Sequence, residues 1–412
     1  MLRTIIASLA TLITIVGEAA EPIRFATFNV SLYDQAPGKL TERLTKPDDR
    51  QAAAIAEIVQ RVRPDVLLLN EFDYDDSATA LENFCRNYLA TGQNASNSAS
   101  GPADPIEYPY YYIAPSNTGI PAGYDLDRDG SIHLQPGDSR YGGDCWGYGE
   151  YPGKYAMALL SRCPIEKTKA RTFQNFLWRD MPGALLPEDP STHSSASWYS
   201  DATLAKFPLS SKSHWDVPIR FAGRTIHVLA SHPTPPTYDG PEDRNGRRNH
   251  DEIRFWADYV DPEGSKYIYD DEGNRGGLAD EAPFVIMGDL NGDPADGQGK
   301  QGISLLLSSP RIDSGIVPES DGGEQQAALQ GGANTQHQGN PRFDTLDAAD
   351  SDGPGNLRVD YVLPATNIKS LASGVFWPKN TDRLFSLVGT HPFPSSDHRL
   401  VWIDIELPPT SD

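Results

Sequence analysis

The chain has 412 residues, of which 38% are hydrophobic, and its formal net charge is −22. This length exceeds one average domain, yet a single large α/β domain with two sheets can hold it. The acidic surface argues against tight non-specific binding to nucleic acid or to anionic membranes. It does not exclude a cation-filled pocket that acts on a phosphate ester.

The first twenty residues have the pattern of a secretory signal peptide. Arg3 supplies the positive charge, residues 5–16 form an apolar run, and small residues precede a cleavage point near residue 19 or 20. The run is too short for a comfortable membrane span. We therefore expect residues 1–20 to be removed, with an uncleaved anchor as the alternative. Residues 21–412 then form one secreted or periplasmic domain with long loop insertions and no stable membrane span.

The start of the mature chain predicts a strand, a helix and a second strand. The first strand ends at Asn29, and the second, a run of buried leucines, ends at Glu71. Between them, residues 48–62 carry apolar side chains at helical spacing, with Asp48 or Asp49 as the cap.

A long polar stretch follows. Residues 91–150 are rich in Gly, Ser, Asn, Asp and Pro, so we predict loops around one short strand at 110–113. Asp125, Asp127 and Asp129 occupy the first, third and fifth positions of a calcium-loop pattern whose final Glu is missing. A structural Ca²⁺ and a plain acidic turn both explain this pattern.

The cysteines are few. In an oxidising compartment one pair of Cys85, Cys145 and Cys163 can form a disulfide, and Cys85 with Cys145 is the favoured pair. Their spacing does not suggest a zinc site.

Residues 239–254 are unusually basic for this chain. Arg244, Arg247 and Arg248 can clamp a substrate phosphate, because guanidinium groups bind phosphate bidentately. They can equally neutralise the acidic residues around them, and the sequence leaves both interpretations open.

Polar residues also stand at the ends of the later predicted strands. They are His232 after residues 225–230, Asp289 and Asn291 after residues 284–287, Asp360 within residues 358–363, and Asp397 with His398 before residues 400–405. Together with Asn29 and Glu71, these ends predict strands that converge on one site. Carboxylate and amide oxygens favour Mg²⁺ or Ca²⁺, and histidines titrate near neutral pH. Such a set suits hydrolysis of a phosphate ester.

These motifs, taken in order, resemble the endonuclease/exonuclease/phosphatase superfamily, which includes DNase I-like nucleases, abasic-site endonucleases, sphingomyelinases and inositol polyphosphate 5-phosphatases. The chain is most similar to its exported bacterial members. The motifs are Thr-Phe-Asn-Val at 27–30, Leu-Asn-Glu at 69–71, Ala-Leu-Leu-Ser-Arg at 158–162, Ser-His at 231–232, Gly-Asp-Leu-Asn at 288–291, Arg-Val-Asp-Tyr at 358–361 and Ser-Asp-His-Arg at 396–399.

The resemblance implies a four-layer α/β sandwich in which helices flank two central mixed β-sheets. It also implies a phosphoesterase that depends on Mg²⁺, or on Mn²⁺ or Ca²⁺. By the same resemblance, Glu71 is the main metal ligand and Asn29 supports it. Asp397 lies at the metal or in its water shell.

The resemblance implies further roles in catalysis. Asp289 orients or deprotonates the attacking water, and Asn291 holds a phosphate oxygen. His398 contacts the phosphate, and Asp360 fixes its tautomer and raises its pKa. His232 stands where nucleases and sphingomyelinases place a general acid.

The leading hypothesis is therefore an exported phosphodiesterase that acts on DNA, RNA or another phosphate diester. The alternatives are a phosphomonoesterase, a lipid phosphodiesterase, or a catalytically silent binding module with the same fold. The sequence indicates no protein partner.

Overall fold

The computed structural model describes residues 22–99, 101–192, 196–349 and 353–407. The predicted signal peptide, residues 1–20, lies outside the described residues. Within them, no helix is long and apolar enough to cross a membrane.

The strands within the described residues are numbered along the chain. In chain order they are β1 (Ile23–Leu32), β2 (Val66–Phe72), β3 (Tyr110–Tyr112), β4 (Met157–Ser161), β5 (Arg171–Thr172), β6 (His214–Phe221), β7 (Arg224–Ser231), β8 (Phe284–Asp289), β9 (Asp360–Pro364), β10 (Lys369–Val375) and β11 (Val401–Glu406).

The strands form two mixed sheets. One has the order β10-β11-β1-β2-β4-β3, and the other has the order β5-β6-β7-β8-β9. In the first sheet β1 is parallel to β2 and antiparallel to β11, and in the second β7 is parallel to β8 and antiparallel to β6. Strands β1 and β2 contact β8 across the interface, so the apolar core lies between the two sheets.

Helices cover the outer faces. The described α-helices are α1 (Lys39–Arg43), α2 (Arg50–Val62), α3 (Thr79–Phe84), α4 (Asp201–Leu204), α5 (Arg244–Tyr259), α6 (Lys300–Leu307), α7 (Asp321–Gln330) and α8 (Phe385–Val388). Helix α2 contacts β1 of the first sheet. On the second sheet, Trp256 of α5 donates a hydrogen bond to Ser231 Oγ at 2.8 Å. The architecture is the α/β sandwich of two mixed sheets flanked by helices that the sequence predicted.

Helix α2 shows why the sequence prediction succeeded there. The Asp49 side chain accepts a hydrogen bond from the backbone N–H of Ala52 at 2.7 Å, which satisfies a donor of the first turn. Ile55 and Ile58 are fully buried on its inner face. The helix ends where Arg63 adopts a left-handed φ of 57°.

Helix α7 lies within residues 319–342, a polar stretch whose composition predicts a connection and no helix. The Ser320 side chain accepts a hydrogen bond from Gly323 N at 3.1 Å and caps the helix start. A Cβ at Gly322 would lie 2.0 Å from the carbonyl oxygen of Trp377, so only glycine fits against that segment. The cap and this close packing outweigh the low helix propensity of the paired glycines.

The expected disulfide between Cys85 and Cys145 is wrong, since all three cysteines are free thiols. Cys85 follows α3, whereas Cys145 lies in the long loop. There the backbone of Cys145 forms an isolated β-bridge with Pro121, and its Sγ donates to Tyr141 O at 3.2 Å. Burial raises the pKa of both thiols to about 12, so both stay protonated.

Gly288 gives the first testable prediction. A Cβ there would lie 2.0 Å from the carbonyl oxygen of Ser231 on the neighbouring strand. We expect Gly288→Ala to lower the free energy of unfolding by about 3 kcal/mol, as overpacking in a core does. Urea denaturation of the two proteins measures this difference.

The matched control is Gly223→Ala in the β6–β7 turn. A Cβ there meets nothing within 4 Å, so only its positive φ matters, at about 1–2 kcal/mol. Equal stability of the two variants would contradict the prediction.

Candidate active site

The site lies where the ends of strands from both sheets meet. Asn29 lies within β1, where the pairing with β2 shifts register, and donates from Nδ2 to Glu71 Oε1 and to Asp289 Oδ2, both at 3.0 Å. Glu71 belongs to the first sheet and Asp289 to the second, so one carboxamide joins the two sheets. Asp289 is paired in register with Asp360 of β9. With His232 and His398 these residues form what we call the polar centre.

Asp289 is the hub of the polar centre. Its Oδ2 lies 3.4 Å from His232 Nε2 and 3.7 Å from His398 Nε2, in addition to its bond with Asn29. Burial alone would raise the pKa of Asp289, but the charge of His398 and the hydrogen bond from His232 lower it below its usual range. The carboxylate is therefore ionised at neutral pH.

His398 forms an imidazole–carboxylate pair. Its Nδ1 lies 2.9 Å from Asp360 Oδ2, which also accepts from Thr345 Oγ1 at 2.8 Å. Burial would lower the pKa of His398, but Asp360 and Asp289 raise it well above its usual value. Burial also raises the pKa of Asp360 to about 6, although the neighbouring His398 opposes this. His398 is thus the cationic histidine of the centre.

His232 differs in charge from His398. Burial, and then the charge of Lys212, lower the pKa of His232 to about 4. Within the described residues its Nδ1 has no hydrogen-bond partner. His232 is therefore a neutral imidazole near pH 7, which does not favour its predicted role as general acid.

Glu71 lies at the rim of the centre. Burial raises its pKa to about 7, and the positive charge of His398 and the hydrogen bond from Asn29 only partly oppose the shift. Glu71 has a φ of 56°, and Ser31, Tyr155 and Asn291 likewise have positive φ. Strained conformations of this kind concentrate at functional sites.

The donors fit a divalent cation. Glu71, His232 and Asp289 each offer a ligand atom within 4.8 Å of the others, and so do Asp289, Asp360 and His398. A buried carboxylate with a raised pKa gains from a nearby cation, and its hard oxygen suits Mg²⁺. Metal binding by Glu71 stays a prediction, and Asn29 donates a hydrogen bond to its Oε1.

Asp397 falls in neither of those two groups. Its Oδ1 accepts hydrogen bonds from Ser31 Oγ at 3.1 Å and Ser396 Oγ at 3.3 Å. Asp397 still raises the pKa of Glu71 electrostatically, so it stands close to the centre. Its role at the metal or in the water shell stays a prediction.

Asn291 is turned toward the backbone. Its N–H donates to Asp289 Oδ1 at 3.0 Å, and its Nδ2 donates to Pro233 O at 3.1 Å. The carboxamide is thus held beside Asp289. Asn249 of α5, which the sequence did not single out, ties this loop down because its Nδ2 donates to Leu290 O at 3.0 Å. Asn249 lies inside a basic helix, and nothing in its spacing distinguishes it.

The three arginines of the predicted phosphate clamp have different surroundings in the structure. Arg244 pairs with Glu242, and the buried Arg248 donates from Nε to Leu209 O at 2.8 Å. Arg247 donates to Leu186 O at 3.3 Å and lines a cavity of about 340 Å³ together with His250 and Lys300. Arg244 and Arg248 are therefore engaged inside the protein, and contact between Arg247 and a substrate phosphate stays a prediction.

The three residues predicted to bind calcium do not lie together in one cluster. Asp125 and Asp127 gather with Asp144, while the Asp129 carboxylate pairs with Arg140 at 2.7 Å. Asp129 also lies 3.1 Å from His133 Nε2. The sequence pattern missed Asp144 because that residue lies far along the loop. Calcium binding here stays a prediction.

Comparison with known proteins gives the following similarities. The family model described as Endonuclease/Exonuclease/phosphatase family matches residues 26–398. The solved endonuclease/exonuclease/phosphatase from Beutenbergia cavernae is 17% identical, with 94% of this chain and 72% of that chain covered and a TM-score of 0.47. Sphingomyelinase C from Streptomyces griseocarneus is 12% identical, with 93% and 99% covered and a TM-score of 0.45. No curated protein matches the chain.

Glu71 gives a prediction about metal and pH. In EDTA, the stability that Glu71 contributes is complete below about pH 4.5 and is lost as the pH rises through about 7. Ionising Glu71 in the folded protein then costs on the order of 2–3 kcal/mol. Glu71→Gln avoids this cost, so we expect it to melt at a higher temperature than wild type at pH 8 in EDTA.

Adding Mg²⁺ should remove most of this difference. The wild type should gain about 2.7 kcal/mol at a Mg²⁺ concentration of a hundred times Kd, and Glu71→Gln should gain almost nothing. Thermal melts at pH 5 and pH 8 test both effects, with the exposed Glu42→Gln as control. Equal stabilisation of Glu71→Gln and wild type by Mg²⁺ would remove Glu71 from the metal site.

Proposed function

The chain belongs to the endonuclease/exonuclease/phosphatase family, whose members hydrolyse phosphate esters, and we propose that it is a metal-dependent phosphodiesterase. One observation carries this proposal. The ionised Asp289 carboxylate lies between His232, 3.4 Å away, and the cationic His398, 3.7 Å away, and it shares the Asn29 carboxamide with Glu71. A water-activating base, a phosphate-binding cation and a metal-binding carboxylate thus meet in one buried centre.

The residues divide the chemistry as follows. Asp289 holds the attacking water by a hydrogen bond and takes up its proton as the bond to phosphorus forms. The bond from phosphorus to the leaving oxygen breaks in the same step, and that oxygen takes a proton from solvent water. His398 donates to a non-bridging phosphate oxygen, and Asp360 keeps it protonated and oriented. His232 holds Asp289 in place as a neutral hydrogen-bond partner. A bound Mg²⁺, held by Glu71 with support from Asn29, would polarise the phosphate and lower the pKa of a bound water.

A diester is favoured over a monoester on grounds of charge. The centre contains the carboxylates Glu71, Asp289 and Asp360, and the whole chain carries a net charge of −22. A phosphate diester has one negative charge, whereas a monoester carries close to two at neutral pH, so the diester meets less repulsion. DNA, RNA and phospholipids are the diester classes that the assay must separate.

Export is part of the proposal. Arg3 and the apolar run at residues 5–16 support a cleaved signal peptide. N-terminal sequencing of the exported protein should find a start near residue 20, and retention of Met1 would contradict it.

Asp289 gives the main test of activity. Purified protein should hydrolyse bis-p-nitrophenyl phosphate with Mg²⁺ or Mn²⁺ and lose this activity in EDTA. Asp289→Asn should lower kcat by about 10²–10⁴-fold in a protein that is still folded at the assay temperature, because it removes the base that receives the proton. The exposed Asp104→Asn is the matched control and should keep wild-type activity.

Two outcomes would contradict the proposal. Cleavage of p-nitrophenyl phosphate without cleavage of the diester would make the protein a phosphatase. Full diesterase activity in Asp289→Asn would exclude this centre as the site of catalysis.

The Asp360–His398 pair predicts the pH profile. Asp360 raises the pKa of His398, so the wild type should keep the cationic imidazole through neutral pH. In Asp360→Asn the pKa of His398 falls, and the alkaline limb of kcat/KM should move to lower pH by at least about one unit. Thr345→Val, which removes a hydrogen bond to Asp360 but keeps its charge, should move the limb less. An unmoved limb in Asp360→Asn would show that His398 does not act as a cation.

A further inference from the structure

Lys212 is a buried ammonium group beside the polar centre that the chemistry above does not use. It precedes β6 and is only 7% exposed. Its Nζ makes one long hydrogen bond, to Pro233 O at 3.4 Å, and it forms no ion pair with any carboxylate that the structure describes. A buried ammonium group without a counter-ion is costly in free energy, so its position needs a reason.

The backbone around Lys212 is built to hold it there. Glu252 of α5 accepts hydrogen bonds from Ser211 N and Thr234 N, both at 2.6 Å. These two amides flank Lys212 and Pro233, so one buried carboxylate clamps both segments. Because Glu252 bonds to both amides, its oxygens are already engaged.

The clamp brings the ammonium group to the carbonyl oxygen that Asn291 also contacts. Pro233 O accepts from Asn291 Nδ2 at 3.1 Å as well as from Lys212 Nζ. Lys212 and Asn291 therefore converge on one carbonyl oxygen, next to His232 in the chain. The remaining protons of the ammonium group have no acceptor among the described residues.

The electrostatics agree with this placement. Burial lowers the pKa of Lys212, and Glu252, Glu71 and Asp289 each raise it. In turn, Lys212 is the second cause, after burial, of the lowered pKa of His232. The ammonium group is thus close enough to the carboxylates of the centre to interact with them, yet pairs directly with none.

We propose that Lys212 is a phosphate-binding residue, whose ammonium group donates to a non-bridging oxygen of the scissile phosphate beside Asn291. There it offsets the negative charge that builds up on the phosphate in the transition state. This inference rests on the proposed function, since it assigns a substrate contact to the same centre.

The melting temperature distinguishes phosphate binding by Lys212 from a purely structural role. If Lys212 serves as a counter-ion of Glu252, removing its charge must lower the melting temperature. If Lys212 instead binds a substrate anion, it has no counter-ion in the free protein. Lys212→Met then replaces an uncompensated ammonium group by an apolar chain of similar length. Such a variant should melt at the wild-type temperature or above it.

The experiment compares wild type, Lys212→Met, Lys212→Arg and the exposed control Lys206→Met, all loaded with Mg²⁺. We expect kcat/KM for bis-p-nitrophenyl phosphate to fall by about 10²–10³-fold in Lys212→Met, mainly through kcat. Lys212→Arg should recover part of the loss, and Lys206→Met should behave as wild type. Calorimetry with inorganic phosphate should show binding about tenfold weaker in Lys212→Met.

Three results would overturn the inference. They are unchanged phosphate binding in Lys212→Met, kcat/KM within threefold of wild type, or a lower melting temperature that accounts for the lost activity. The phosphate titration also separates this inference from the proposed function. A wild type that hydrolyses no phosphate ester refutes the function, while the titration still decides whether Lys212 binds phosphate.

Discussion

The Asn29 carboxamide is the contact on which the polar centre depends. Its nitrogen donates to a carboxylate of each sheet, Glu71 in one and Asp289 in the other. Without this donor, two buried carboxylates would approach each other with no hydrogen between them, which costs free energy. The packing of the two sheets is therefore tied to the geometry of the site. Gly288 acts within the second sheet, because only a residue without Cβ lets β8 pass so close to Ser231 of β7.

Burial acts on every ionisable group of the centre in the same direction, toward the neutral form, and the neighbours decide which groups stay charged. Glu71 has too few donors to resist burial, so its pKa is raised to about 7. Asp289 accepts from a carboxamide and faces two imidazoles, and its pKa is lowered. A divalent cation would remove the penalty on Glu71, which is a physical reason for this residue to bind metal before the others.

Much of the centre could be predicted from the sequence, because apolar runs mark where strands end. Asp289 and Asp360 follow from this logic, and the structure pairs them in register. Residues placed by tertiary contacts could not be found in this way. Lys212 lies beside the centre because Glu252, some forty residues later, accepts from Ser211 N and Thr234 N and so holds the segments of Lys212 and Pro233 together. The helix α7 was hidden for a similar reason, since packing and a serine cap override its glycines.

The protonation states of the two histidines could not be predicted from their sequence motifs. His232 and His398 both follow a short polar motif at a strand end, and both approach Asp289 Oδ2. Their pKa values nevertheless move apart, because His398 has Asp360 on its second nitrogen, whereas the Nδ1 of His232 has no partner among the described residues and Lys212 stands nearby. One imidazole is therefore cationic and the other neutral in the same centre. A motif identifies which residue lies at the site, but the neighbouring charges decide whether that residue is protonated.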